Sequence, residues 1–183
     1  MTCPRCLYQT HVCLCASIPT VANATRVVII RHHLERHRSS NTGRLAHLAL
    51  ANSELVDYGD APAEPLALDG AYLLYPLGQP VQSVPDPRPR QLVVLDATWS
   101  QARRMYRKLG GVRGLPILHV ADDDRAPKPV ARLRASPAPG YVSTIEAIAR
   151  ALRMLDGDAI ASPLEQLYEL AVDRARVTGR LAR

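Results

Sequence analysis

The chain has 183 residues, 47% of them hydrophobic, and a formal net charge of +6 at pH 7. This length suits one α/β domain with a small appendage. No apolar run is long enough for a membrane span or a secretory leader, so we expect a cytoplasmic protein with no membrane partner. Phenylalanine is absent and aromatic residues make up only 4%, which excludes an aromatic stacking platform like that of RNP-type RNA-binding sheets.

Arginine supplies most of the positive charge, because Lys108 and Lys128 are the only lysines. A guanidinium group binds phosphate through a planar set of donors, so the composition favours a polyanionic partner. A coding bias towards arginine would explain the choice of residue, but it would not explain the positive balance.

The first fifteen residues contain all four cysteines, as Cys3, Cys6, Cys13 and Cys15. Two close pairs can supply four thiolates to a tetrahedral zinc ion, and four protein ligands leave no open position for catalysis. We therefore predict a structural zinc knuckle over residues 1–20 and a catalytic domain over residues 21–183. The alternative is a redox-active or incidental pair of cysteines.

A β-branched strand is predicted over residues 25–31, followed by a loop rich in arginine and histidine over residues 31–38. A helix then begins at Asn41 or Thr42 and runs to about Ala51. This region is a candidate for phosphate contact, and the alternative is a solvated charged loop. The predicted RNA contacts here are Arg31, His32, Arg38, Asn41 and Arg44. A metal site at the loop histidines lacks complementary ligands.

The central stretch of the chain is predicted to be a buried strand over residues 92–95, a polar turn, and a helix capped by Ser100 that runs to Lys108. Ligands bind at the carboxyl ends of strands in open α/β sheets, which makes the turn a candidate site. The alternative is an ordinary turn with a core tryptophan. The helix carries basic residues on one face, which either contact RNA phosphates or are simply exposed. They are Arg103, Arg104, Arg107 and Lys108.

Strands are also expected over residues 54–57, 71–75 and 115–120, and the glycines at 110, 111 and 114 are expected to break the chain. Capping boxes predict a helix from Ser143 to about Leu155 and a final helix that begins at Ser162 with proline in its first turn. The fold is therefore α/β, with a mostly parallel sheet flanked by helices. Motifs of kinases, P-loop NTPases, dinucleotide-binding enzymes and serine hydrolases are absent.

The Asp-Ala-Thr-Trp sequence at residues 96–99 resembles the Asp-x-Thr-Trp signature of the DTW-domain family. The cysteine pattern and three further elements are similar to that family, namely Asn-Thr-Gly-Arg-Leu at 41–45, Leu-Leu-Tyr-Pro at 73–76 and Tyr-Val-Ser-Thr-Ile-Glu-Ala at 141–147. His32 and Glu35 resemble its His-Pro-x-Glu element, but His33 stands where that element has proline. The family includes tRNA-uridine aminocarboxypropyltransferases and is related to the knotted SPOUT methyltransferases.

This resemblance implies a SPOUT-like fold with a C-terminal trefoil knot. It also implies transfer of the 3-amino-3-carboxypropyl group of S-adenosylmethionine to N3 of a tRNA uridine. Asp96 is the predicted catalytic base, and its alternatives are to bind the amino group of the donor or to hold the turn. Trp99 either stacks on the uracil or packs in the core. The donor is expected to contact Leu74, Tyr75, Leu95, Ala97, Thr98, Leu118, Arg134, Val142, Ser143 and Thr144.

Three other functions compete with this expectation. The first is a SPOUT-like methyltransferase that uses the same donor. The second is a non-catalytic RNA-binding protein that contains zinc, and the third is a redox protein that uses the cysteines. We expect a monomer.

Overall fold

Five parallel strands form one sheet in the computed structural model, which describes residues 1–59, 66–121, 132–133 and 142–179. The spatial order of the strands is β2-β1-β4-β3-β5. The strands are β1 (Arg26–His32), β2 (Ser53–Tyr58), β3 (Ala71–Leu74), β4 (Gln91–Asp96) and β5 (Ile117–Leu118). The prediction of a parallel α/β sheet is confirmed.

Helices cover both faces of the sheet, and each face has its own hydrophobic cluster. Helices α1, α4 and α5 pack on one face, here called the α4 face, and α2 and α3 pack on the other, called the α2 face. The helices are α1 (Thr42–Ala49), α2 (Trp99–Lys108), α3 (Gly110–Arg113), α4 (Thr144–Asp156) and α5 (Asp158–Val177). Among the described residues, no helix is both long and apolar enough to cross a bilayer.

The middle residues of β1 and β4, 27–30 and 92–95, are apolar and buried, as expected for strands covered on both faces. All six residues of β4 are buried. Successive side chains of a strand point to opposite faces, so Val94 and Asp96 lie on the α4 face, whereas Leu95 packs into the cluster on the α2 face. This alternation decides which predicted site residues can meet.

The final helix differs from its prediction, because α5 begins at Asp158 and Pro163 lies inside it. Gly157, with a φ of +97°, is the break between α4 and α5. A proline has a φ close to the helical value, so it can lie within a helix at the cost of one backbone hydrogen bond. The packing of α5 against α4 therefore decides where α5 begins, and the capping box at Ser162 does not.

Other predicted boundaries also change. The expected strand at 115–120 is only two residues long. Of the glycines expected to break the chain, Gly110 and Gly111 begin the short helix α3 and Gly114 ends it. Helix α2 begins at Trp99, so the prediction that Ser100 caps it is wrong. Short strands and glycine-rich turns depend on their neighbours, which a local pattern does not contain.

The cysteine-rich segment shares the core of the α4 face. Cys6, Tyr8, Val12 and Leu14 are buried in the same cluster as α4 and α5. The Tyr8 hydroxyl donates a hydrogen bond of 3.3 Å to the carbonyl of Ala171 in α5. The knuckle therefore packs as part of the main body of the protein.

Candidate functional site

Three motifs that are far apart in the sequence meet at the carboxyl end of β4. Asp96, the last residue of that strand, is 2% exposed. Its Oδ2 atom accepts a hydrogen bond from the Asn41 side-chain amide, and its Oδ1 atom accepts one of 2.7 Å from the Thr144 hydroxyl. The carboxylate thus joins the start of α1, the end of β4 and the start of α4.

Gly43 allows the Asp96 carboxyl group to lie directly against the first turn of α1. A Cβ atom built on Gly43 would lie 2.4 Å from Asp96 Cγ and 2.5 Å from Oδ2. Asn41 is the N-cap of the same helix, and its side-chain oxygen accepts a hydrogen bond of 2.8 Å from the Arg44 amide. Helix N-termini attract negative charge, so the carboxylate has a favourable position between α1 and α4. Asn41 is one of the two caps that the sequence predicted, and the role of Gly43 was not predicted.

A row of charged side chains crosses the sheet at the same edge. Arg31 of β1 is in register with Asp57 of β2 on one side and with Asp96 of β4 on the other. Arg31 donates to both Asp57 carboxylate oxygens, from Nε at 2.7 Å and from Nη2 at 3.0 Å. Arg36 donates to Asp57 Oδ2 at 3.0 Å.

The row explains the titration of Asp57. Burial alone would raise the pKa of Asp57, but the hydrogen bonds and positive charges of Arg31 and Arg36 outweigh burial and lower it. Asp57 was not a predicted site residue. Its only sequence signal was its place at the end of a short strand.

Most of the residues predicted to contact RNA in the loop from residue 31 to 44 bind other groups of the protein instead. Arg31 is 5% exposed and paired with Asp57, so the structure does not bring it to a surface phosphate. The Arg44 guanidinium donates to the backbone carbonyls of Arg36 and Arg5. Burial and the charge of Arg31 lower the pKa of Arg44.

The other predicted contacts of this loop differ in exposure. His32 accepts a hydrogen bond from the Leu34 amide and stacks on His33 with ring centroids 4.7 Å apart. Arg38 is more than half exposed, and its Nε lies 3.5 Å from a carboxylate oxygen of Glu35. Of the five predicted RNA contacts in this loop, Arg38 is thus the one with an exposed cationic side chain.

The turn after β4 is held by a capping box. Thr98 is the N-cap of α2: its Oγ1 accepts from the Gln101 amide, and its own amide donates to the Gln101 side chain at 2.9 Å. Trp99 is the first residue of α2, is partly exposed and belongs to neither hydrophobic cluster. The described part of the chain therefore does not bury Trp99 in the core. Arg103 and Arg104 are exposed on the same helix.

The apolar residues predicted to contact the donor lie on both faces of the sheet. Leu74 and Leu118 are in register and buried on the α4 face. Leu95, Ala97 and Tyr75 lie on the α2 face, where Tyr75 stacks on Tyr106 with ring centroids 5.3 Å apart. These residues share an edge of the sheet but do not form one surface.

Several backbone amides at the start of α4 already donate hydrogen bonds to side chains of the protein. The amide of Ser143 donates to Glu146 Oε2 at 2.7 Å, and the Glu146 amide donates to Ser143 Oγ. The Ile145 amide donates to Thr42 Oγ1 at 3.4 Å. Val142, just before the cap, is partly exposed. Arg134, which is also predicted to contact the donor, lies outside the described residues.

The four cysteines fit a structural zinc ion. Their Sγ atoms all lie within 4.8 Å of one another, and the pairs Cys3–Cys15 and Cys6–Cys13 are each 3.6 Å apart. A tetrahedron with zinc–sulfur bonds of 2.3 Å has edges of about 3.8 Å, close to these values.

The pKa values of the cysteine thiols shift in opposite directions. The backbone amides of Cys6 and then Arg5 lower the pKa of Cys3 to about 6, whereas burial and the neighbouring thiols raise the pKa of Cys15 to about 12. A metal ion deprotonates such thiols on binding. The four residues Cys3, Cys6, Cys13 and Cys15 would hold it in a closed site.

Comparison with known proteins gives two findings. The model of the DTW-domain family matches residues 1–176. The protein named tRNA-uridine aminocarboxypropyltransferase 2 from Drosophila melanogaster is 27% identical over 199 aligned residues, which cover 96% of this chain and 76% of the relative. No solved structure matches significantly.

Proposed function

The chain belongs to the DTW-domain family, and on that premise we propose that it transfers the 3-amino-3-carboxypropyl group of S-adenosylmethionine to N3 of a uridine in tRNA. The name of the Drosophila relative supports the reaction class and the tRNA substrate. The donor and the N3 position are expectations from the family resemblance. We also propose a SPOUT-like C-terminal knot, a monomer and a cytoplasmic location.

The observation that carries this proposal is the meeting of three family-like motifs at one carboxylate. Asn41 and Gly43 belong to the first motif, Asp96 to the second and Thr144 to the third. They are separated by about fifty residues of chain at each step, and the fold brings them together at the carboxyl edge of a parallel sheet. Ligands bind at this edge in open α/β folds.

The reaction requires exact placement of the two substrates. In it, N3 of uridine forms a bond to the terminal carbon of the aminocarboxypropyl chain, while the carbon–sulfur bond breaks. Its electron pair stays on sulfur, methylthioadenosine leaves, and the N3 proton passes to a base or to solvent. Because the sulfonium activates three carbons, alignment must select the reacting one.

Two roles of Asp96 are compatible with its position. As a base it would receive the N3 proton, which requires the uracil to approach a carboxylate that is 2% exposed. As a positioning residue it would hold α1 and α4 in place through its bonds to Asn41 and Thr144. Both oxygens already accept a hydrogen bond, so the contacts support positioning directly, and the base role stays a proposal.

The substitution Asp96→Asn distinguishes the two roles. If Asp96 is the base, the variant keeps its melting temperature and loses kcat, and its rate recovers at alkaline pH, where uridine N3 loses its proton unaided. If Asp96 is a positioning residue, the melting temperature falls and alkaline pH restores nothing. The variant Gly111→Ala is the control, because a Cβ atom on Gly111 meets no atom within 4 Å.

The function itself is tested with S-adenosylmethionine labelled either at the methyl carbon or at the carboxyl carbon. Each form is incubated with the purified protein and bulk tRNA, and the digested nucleosides are separated. Carboxyl label in a modified uridine is the expected result. Methyl label would indicate a methyltransferase instead. Absence of both labels from tRNA and ribosomal RNA would favour a non-catalytic RNA-binding protein.

A further inference from the structure

The net positive charge of the chain is concentrated on α2 and α3. No Asp or Glu occurs between Asp96 and Asp122, whereas that stretch contains five of the arginine and lysine residues. The stretch therefore carries a formal charge of +5, compared with +6 for the whole protein. The five residues are Arg103, Arg104, Arg107, Lys108 and Arg113, and all are exposed.

Helical geometry orders these charges into two lines. Residues four apart are neighbours on a helix surface. Trp99, Arg103 and Arg107 form one line, and Ser100, Arg104 and Lys108 form the adjacent line. We call these six residues the α2 basic face. Its first turn lies directly after Thr98, so the face extends from the Asp96 edge of the sheet outwards.

The cations of the α2 basic face have no ion pair with any described residue. The ion pairs of the described chain lie elsewhere and include the loop from 31 to 44 and helices α4 and α5. The opposite side of α2 is fixed by Ala102 and Met105, which are buried in the α2-face cluster. The basic side is thus held in one orientation and faces solvent.

The chemistry of this face fits RNA better than a membrane or an apolar partner. The exposed large hydrophobic residues of the described chain all lie outside α2, whereas an interfacial helix needs an apolar face. Arginine binds phosphate through a planar donor set, and a partly exposed tryptophan provides a surface on which a base can stack. Both occur here on one helix, with the tryptophan at the end nearer Asp96.

We propose that the α2 basic face is the surface on which tRNA docks, with Trp99 against a base and the arginines and lysine on the phosphates beside it. This assignment rests on the proposed function for the identity of the RNA. Of the RNA contacts expected from the sequence, it keeps those on α2. It gives up Arg31 and Arg44 of the loop at residues 31–44, because both are used inside the protein.

The test measures binding of unmodified bulk tRNA by fluorescence anisotropy over a range of KCl concentrations, without S-adenosylmethionine. The double variant R103Q/R104Q is compared with R90Q/R176Q, which has the same net charge but changes exposed arginines outside α2. Arg103, Arg104 and Arg176 lie in helices, where glutamine is a good helix former, and Arg90 is exposed outside any helix. Both variants are therefore expected to keep the melting temperature and zinc content of the parent.

The expected result is specific to the helix. R103Q/R104Q weakens tRNA binding about tenfold at moderate salt. It also lowers the slope of log affinity against log salt by about 1.4–1.8, because each lost phosphate contact removes about 0.7–0.9. R90Q/R176Q leaves the slope unchanged. W99A weakens binding by about fivefold or more without changing the slope, because stacking is worth about 1–3 kcal/mol per base.

Equal effects of the two double variants would overturn the proposal, because binding would then depend only on net charge. It would also be overturned if R103Q/R104Q lost binding to phosphatidylserine vesicles and kept full binding to tRNA. Binding is measured without the donor, so this outcome is independent of the reaction. A protein that binds tRNA through α2 but transfers no label would contradict the proposed function and leave the docking surface in place.

Discussion

The substitution Gly43→Ala tests the packing at the centre of the candidate site. Its new Cβ atom would lie 2.4 Å from Asp96 Cγ, 2.5 Å from Oδ2 and 2.7 Å from Oδ1. Ordinary carbon contacts are about 3.5–4.0 Å, so the carboxyl group has to move by about 1 Å or more. Asp96 cannot move freely, because it is buried and bonded to Asn41 and Thr144.

The expected loss of stability follows from the hydrogen bonds to Asp96 that this movement breaks. Each lost hydrogen bond to the buried carboxylate costs about 1–3 kcal/mol. The better helix propensity of alanine returns at most about 1 kcal/mol. We therefore expect Gly43→Ala to lower the free energy of unfolding by about 2–4 kcal/mol, which for a chain of this length lowers the melting temperature by about 5–15 °C.

The assay is thermal unfolding followed by circular dichroism, together with the rate of label transfer to tRNA. Gly111→Ala is the matched control, since Gly111 is also helical and its Cβ atom would meet nothing within 4 Å. The control is expected to keep or slightly raise the melting temperature. If Gly43→Ala unfolds within 1 °C of the parent and transfers at the parent rate, the close packing of Asp96 on α1 is wrong.

Removing zinc with a chelator, or changing Cys13 to Ser, should lower the melting temperature and expose the core under the knuckle; full stability in a protein with no measurable zinc would contradict a structural role. Glu165→Ala should lower the free energy of unfolding by about 3 kcal/mol, because it removes the carboxylate that accepts hydrogen bonds from both Nη atoms of Arg153, whose side chain is 8% exposed. Asp173→Ala, in an exposed pair, should change it by less than about 1 kcal/mol. If the two substitutions lowered the free energy of unfolding equally, burial would not determine the contribution of the ion pair. Burial and two nearby arginines lower the pKa of His47 below 6.5, so the unfolded chain takes up the proton first and stability falls as pH drops below about 6.5. His47→Gln should reduce the loss measured by urea unfolding between about pH 7.5 and 5.5, and an identical loss in both proteins would exclude His47 as its source.

The central strand could be predicted from sequence because its signal is local and strong. A continuous apolar run followed by an acidic residue indicates a strand covered on both faces, and β4 has both features. The cap of α2 was harder to predict, because Thr98 and Ser100 are both good capping residues. The choice depends on where the strand ends, and the register of β4 against β1 sets that point.

The roles of Gly43 and Asp57 could not be predicted, because they depend on contacts between distant parts of the chain. Gly43 is next to Asp96 only after α1 packs on the sheet. Asp57 meets Arg31 only after β2 pairs with β1. A glycine near the start of a helix was the available signal, since alanine is the better helix former there and its absence suggests that a side chain does not fit.

Arginines of this protein differ in function although the sequence makes them look alike. Arg31 is followed by two histidines at the end of β1, and Arg44 follows a capping asparagine. Both contexts are typical of phosphate contact, yet the fold gives these arginines acidic and carbonyl partners. Arg103 and Arg104 lie in a stretch without any carboxylate, so no partner within that stretch can neutralise them. Sequence distance to an acidic residue does not separate the two kinds, because Arg44 is nine positions from Glu35 and Arg104 is eight from Asp96. The carbonyl partners that the fold brings to Arg44 decide the difference. The tRNA-binding comparison of helix α2 with matched arginines elsewhere measures that difference directly.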